Sequence, residues 1–247
     1  MGQRHGQAGR RPHADVWILL AAGLLLLLFF FAETHARGRA GDAPRYSPWL
    51  RCLLLLCICT IAYLGGLLRA ERTGSAAILG HLLRLFFLLY LWLILSLTLL
   101  DEGLRLSADR LTEQGLTPRQ YYLRWFVNFR PFESIYTVYI KGMMEGYVAP
   151  RYTLLNLLGN LCAFMPFAFF LPTFWRPARR WYVFLPVILL IVAAVEGMQF
   201  WLMVGSCDVD DLILNAGGAF LMFWLLRIPP LRRFCEGLRT GRFAWNP

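Results

Sequence analysis

Charge is scarce in this chain. Of 247 residues only 16% are Asp, Glu, Lys or Arg, while 58% are hydrophobic. A typical soluble domain carries about 25% charged residues, so an ordinary water-soluble core is excluded. Histidine is also scarce. His5, His13, His35 and His81 stand far apart, which excludes a histidine metal centre or a catalytic triad. There is no P-loop and no HExxH helix. Lysine is nearly missing: Lys141 is the one basic residue that is not arginine. Six cysteines are present, but Cys52, Cys57, Cys59 and Cys162 lie in apolar runs, where Cys behaves as a small hydrophobe. Cys57-Ile58-Cys59 has neither a metal nor a redox spacing, and Cys207 and Cys235 suggest no disulfide partner.

What is abundant comes in blocks. Val16–Ala32, Cys52–Leu68, Leu85–Leu100, Tyr152–Trp175 and Leu212–Leu226 hold no charged residue, and Trp181–Val204 holds only Glu196. A spanning helix needs roughly 20 apolar residues. The shorter runs reach that length with Trp49–Arg51, Leu79–Arg84 and Asp208–Asp211. The expected fold is therefore all-α: a polytopic membrane protein with about six transmembrane helices. The first run, behind Arg4, Arg10 and Arg11 and before the small residues around Ala32 and Ala36, also suits a secretory signal. Its length favours a retained helix.

Net charge is +10, which in a soluble protein would suggest nucleic acid. Here the arginines flank spans, as cytoplasmic loops do, and no nucleic-acid partner is expected. With the N-terminus inside, inner segments carry Arg69 and Arg72; Arg176, Arg179 and Arg180; and Arg227, Arg232, Arg233, Arg239 and Arg242. The turn between the last two spans carries aspartates and no basic residue. Arg37, Arg39 and Arg45 in the first outer loop run against the rule. The expected location is the bacterial plasma membrane with both termini cytoplasmic, and the bilayer is the first partner.

Four regions follow. Residues 1–100 hold a basic tail and three scaffold helices. Residues 101–151 form a long interfacial or re-entrant connection between the third and fourth spans. Residues 152–228 hold a polar three-helix core, and residues 229–247 a basic cytoplasmic tail. Within the connection, Thr117-Pro118-Arg119-Gln120 reads as a helix start with a capping box. Tyr121, Tyr122, Trp125 and Phe126 among Arg119 and Arg124 suit a membrane surface. Asn128-Phe129-Arg130-Pro131-Phe132 then breaks the helix. His81 reads as a boundary residue rather than a ligand.

The polar residues of the last three spans carry the functional argument. An ionised side chain at the centre of a spanning helix costs about 3 kcal/mol or more. Asn156 and Asn160 are four apart on one helix face, and Glu196 and Gln199 share another. Asp208, Asp210 and Asp211 fall in the turn, with Asn215 one turn below Asp211. In this topology all of them fall at the outer ends of three helices. Simpler roles compete: one aspartate capping the last span, the asparagines bonding between helices, and Gly159, Gly217 and Gly218 permitting close packing. Pro166 and Pro172 kink or end the fourth span. Asp208, Asp210, Asp211 and Glu196 would together suit a hard cation such as Mg²⁺. Arg130, Lys141 or Arg151 could add anchors for a lipid-linked pyrophosphate.

These residues also resemble a known family. Asn128–Phe132, Asn156-Leu157-Leu158-Gly159-Asn160 leading to Phe164-Met165-Pro166-Phe167, Glu196-Gly197-Met198-Gln199, and Asp208-Val209-Asp210-Asp211 through Asn215 to Gly217-Gly218 are similar, in this order, to the VanZ-like membrane proteins. The resemblance covers roughly residues 125–228. It implies a small multi-pass bacterial protein, whose founding member lowers susceptibility to the glycopeptide teicoplanin, and supplies no reaction. Many members carry an Arg shortly before the aspartates, where this chain has Val204-Gly205-Ser206-Cys207.

Three functions are compatible with these residues. The first is a cell-envelope protein that binds a lipid-linked or cell-wall-related ligand at an outward-facing polar site and affects teicoplanin susceptibility. The second is a metal-assisted hydrolase or transferase acting on a lipid-linked pyrophosphate. The third is a small transporter using Glu196. The candidate site residues are Asn128, Arg130, Asn156, Asn160, Glu196, Gln199, Asp208, Asp210, Asp211 and Asn215.

Overall fold

The computed structural model describes residues 48–99, 115–147 and 149–242. The expected first span, Val16–Ala32, lies outside the described residues, as does the start of the connection, 101–114. The chain divides into two compact units, one of residues 1–86 and 237–247 and one of residues 87–236.

The first unit contains α1 (Pro48–Thr73) and the opening turns of α2 (Ala77–Leu99). Ala70, Ile78, Leu79 and Leu82 form its core. Gly66 lets the two helices close, since a Cβ there would come within 2.4 Å of Leu82 Cδ1. The Tyr63 hydroxyl donates to the Leu238 carbonyl at 2.7 Å.

The second unit continues with α3 (Pro118–Trp125), β1 (Val127–Asn128), a π-helix (Ile135–Lys141) and the single turn α4 (Gly142–Met144). After these come α5 (Pro150–Ala163), α6 (Phe167–Phe174), a 3-10 turn (Arg176–Arg179) and α7 (Trp181–Leu202). β2 (Cys207–Asp208), α8 (Val209–Leu225) and α9 (Pro229–Thr240) complete the order. Thr117 caps α3 through the expected box with Gln120, and Pro118 opens the helix. Between α5 and α6, Pro166 has no N–H to give the Cys162 carbonyl, so the helix breaks over 164–166. Cys162 instead accepts from the Met165 N–H at 3.2 Å. The Tyr90 hydroxyl satisfies the Ala163 carbonyl at 2.6 Å.

Phe164, Phe167, Phe184, Ile188, Val192, Ala219 and Phe223 form the main core, with Ile94 against them. Phe184 and Phe223 stack with centroids 4.4 Å apart. Gly218 brings α8 onto α5. A Cβ there would sit 1.8 Å from the Leu161 carbonyl oxygen, inside any van der Waals distance, so only glycine allows this approach.

The described residues are nearly all helical, as expected. Six spans are not all supported. Among the described residues three helical segments are long and apolar enough to cross a membrane: Ala77–Leu99, Thr153–Phe174 and Trp181–Leu202. Val209–Leu225 with Pro229–Thr240 makes a fourth if that pair, bent by 92°, counts as one span. The expected second span, Cys52–Leu68, does form a helix, α1, with Arg69, Glu71 and Arg72 lying beyond its apolar run. Among the described residues it is not one of the three.

Candidate functional site

The sheet is minimal yet positions the site. β1 and β2 pair in parallel, Val127 opposite Cys207 and Asn128 opposite Asp208. The Cys207 N–H donates to the Phe126 carbonyl at 2.8 Å. This bridge seats the Asn128–Phe132 turn on the start of α8.

Two of the three aspartates are committed to that seat. Asp208 is the N-cap of α8, accepting from the Asp210 N–H at 2.9 Å. Its Oδ1 also accepts from Asn128 Nδ2 at 3.1 Å. Asn128 in turn donates to Ser134 Oγ at 2.9 Å and accepts from the Arg130 N–H at 2.9 Å. Asp210 is 1% exposed. Its carboxylate accepts from the Phe132 N–H and, at 3.0 Å, from the Ile135 N–H. Those amides begin a helical segment and would otherwise lack partners. Phe132 has φ +65°, a left-handed conformation that costs a non-glycine residue about 1 kcal/mol or more. The Asp210 bond helps to offset that cost.

Asp211 points elsewhere. Its Oδ1 accepts from Asn160 Nδ2 on α5. Asn156 lies one turn before Asn160, and Asn215 one turn after Asp211. Asn215 is buried, and its Oδ1 has no partner among the described residues. The Thr153 hydroxyl oxygen, also on α5, is buried without a partner in the same sense. Glu196, 9% exposed on α7, accepts from the Asp208 N–H at 3.4 Å. Gln199 turns to other partners: its Nε2 donates to the Thr98 carbonyl at 3.2 Å, and its backbone carbonyl accepts from the Tyr122 hydroxyl at 3.3 Å.

The field of the carboxylates is visible in two neighbours. Burial, followed by the carboxylates of Glu196, Asp208 and Asp211, pushes the Cys207 thiol up from its ordinary value. Burial, then Cys207 and Glu196, push the Tyr122 phenol up to about 12. Both effects have the sign expected of a dry, negative surrounding. Neither Tyr122 nor Cys207 belongs to the residues singled out by sequence. Tyr122 reads there as one more interfacial aromatic.

The expected metal set of Asp208, Asp210, Asp211 and Glu196 does not form. Among the described residues no three His, Cys, Asp or Glu side chains group so as to hold a metal ion. The reason is directional: Asp210 faces the backbone amides of the turn, Asp208 caps its own helix, and Asp211 faces Asn160. The expected cationic anchors do not converge either. Arg130 is 83% exposed at its side chain and pairs with Glu133 at 3.6 Å. Lys141 pairs with Glu145 at 4.0 Å, and Arg151 is exposed.

The candidate site thus narrows to a seam between α5, α7 and α8. It holds Asn160, Glu196, Asp211 and Asn215, with Asn156 beside it. Asp208, Asp210 and Asn128 form its structural collar. In the comparison with known proteins, a family model described as VanZ/LLP1 matches residues 85–230. No curated protein and no solved structure matches the chain.

Proposed function

The chain belongs to the VanZ/LLP1 family, and from that premise we propose that it is a bacterial cell-envelope protein binding a lipid-linked or cell-wall-related ligand. The ligand enters the α5–α7–α8 seam from the outer side, and occupancy alters teicoplanin susceptibility. The observation that carries the reading is the unpartnered, buried Asn215 Oδ1 one turn below Asp211, with Glu196 on the neighbouring helix. Buried acceptors are normally satisfied. A seam holding two carboxylates and an open amide oxygen suits a group that brings N–H, O–H or ammonium donors. The sugar and peptide portions of a wall precursor supply these. A bare pyrophosphate does not, because among the described residues no cationic side chain pairs with these carboxylates. The metal-assisted hydrolase reading is correspondingly less supported.

The test is teicoplanin tolerance of cells expressing Glu196→Gln or Asp211→Asn at the normal membrane level. Both variants are expected to shift tolerance toward that of cells lacking the protein. Unchanged tolerance in both would remove the seam from the function. Turnover of a polyprenyl pyrophosphate by the purified protein would favour the enzyme reading instead.

A further inference from the structure

A second surface lies at the other end of the helices. α6 ends, α7 begins and α8 ends around one short region. There Arg227 acts as a clamp. It donates to the Phe223 carbonyl at 2.7 Å and to the Arg179 carbonyl. Its guanidinium carbon lies 3.4 Å from the centroid of the Phe223 ring. The clamp ties the end of α8 to the 3-10 turn, so that Arg176 and Arg180 are held near the start of α9. Trp175, Trp181 and Tyr182, each about half-exposed, flank that turn. Aromatic residues of this kind mark the headgroup level of a bilayer.

From there α9 leaves at 92° to α8. If α8 runs along the membrane normal, α9 lies along the surface. Its residues sort by face. Leu231 and Phe234, 40% and 48% exposed, share one side. Arg232 and Arg233, both exposed, lie on the other. Glu236, paired with Arg232 at 3.0 Å, is the only acidic residue from 226 to 242. An arginine face opposite an apolar face is the pattern of a helix lying in an anionic lipid interface.

We infer that Arg176, Arg180, Arg232 and Arg233, with Leu231 and Phe234 inserted among acyl chains, form a docking surface for an anionic phospholipid leaflet. Charge complementarity selects the occupant: four exposed guanidinium groups and one acid face a surface that carries phosphate diesters. This surface is independent of the α5–α7–α8 seam.

The experiment uses the full chain in nanodiscs of equal phosphatidylglycerol and phosphatidylcholine, with lipid retained after release measured by native mass spectrometry. Wild type is expected to retain phosphatidylglycerol in clear preference. Glutamine at all four arginines should lower that retention by about fivefold per arginine removed, whereas lysine at all four should preserve it. Melting in phosphatidylcholine discs serves as the fold control. If the fourfold glutamine variant melts early, Arg232→Gln/Arg233→Gln carries the test with a smaller expected loss. Equal retention of the two lipids by wild type would overturn the proposal. So would unchanged retention by a folded glutamine variant, or full displacement of the lipid by inorganic phosphate.

Discussion

Replacing Asp210 should loosen a turn that lies 75 or more residues away in sequence. Asp210 is 1% exposed and accepts from the amides of Phe132 and Ile135. A hydrogen bond to a charged group is worth about 1.5–3 kcal/mol, so Asp210→Ala should cost roughly 3–6 kcal/mol. Asp210→Asn keeps one acceptor oxygen but turns an NH₂ toward the second amide. It should lose about half, on the order of 2 kcal/mol. If opening of the turn is local, that corresponds to roughly thirtyfold faster exchange at the two amides. The assay is hydrogen exchange of the Phe132 and Ile135 amides in nanodiscs, with amides of α7 as an internal reference. Glu133→Gln is the control, because the exposed Arg130–Glu133 pair should contribute little. Unchanged protection at Phe132 and Ile135 in Asp210→Asn would refute the latch.

Gly218→Ala should destabilise by at least about 1–3 kcal/mol, because its Cβ would meet the Leu161 carbonyl. Gly217→Ala, with nothing within 4 Å, should be neutral or slightly stabilising; thermal melts of the pair decide this. Cys207 should alkylate far more slowly near neutral pH than an exposed thiol, because burial and three carboxylates hold it protonated. Its rate should climb as pH rises, and labelling as fast as a free cysteine at neutral pH would contradict the site's geometry. Tyr122, pushed up to about 12 from an ordinary 10, should contribute stability that is full below about pH 10 and lost as pH rises through about 12. Ultraviolet titration of the phenolates should show the late-titrating fraction smaller by one tyrosine in Tyr122→Phe than in wild type.

The sequence is most legible where signals are local. The capping box at Thr117 and Gln120 and the break at Pro166 both depend on residues within one turn, and both form as read. The close approach at Gly218 also follows from residue type. The aspartate run is different. Asp208, Asp210 and Asp211 look like one chemical unit in the sequence, yet their side chains diverge to three sets of partners. Two of those partners, the amides of Phe132 and Ile135, are backbone groups and carry no residue signature. The carboxylate run therefore suggests a metal where the fold uses two of its members as fasteners. Gln199 fails for a related reason, since it bonds the carbonyl of Thr98 in a run that reads as plain apolar scaffold.

The two-residue bridge between Val127–Asn128 and Cys207–Asp208 also fixes a parity. Residues that share a hydrogen-bonded ladder lie on the same face of a membrane. The chain between them should therefore cross an even number of times, and Thr153–Phe174 and Trp181–Leu202 are two segments long and apolar enough to do so. Reporters inserted near 130 and near 206 should report one compartment, whichever way the protein is oriented. The bridge also bears on assembly, because β2 follows Trp181–Leu202 in the chain and can pair with β1 only after that helix has been made. Asp208 and Asp210 can hold the turn only once β2 has returned to β1, so the collar closes after α5 and α7 have been made.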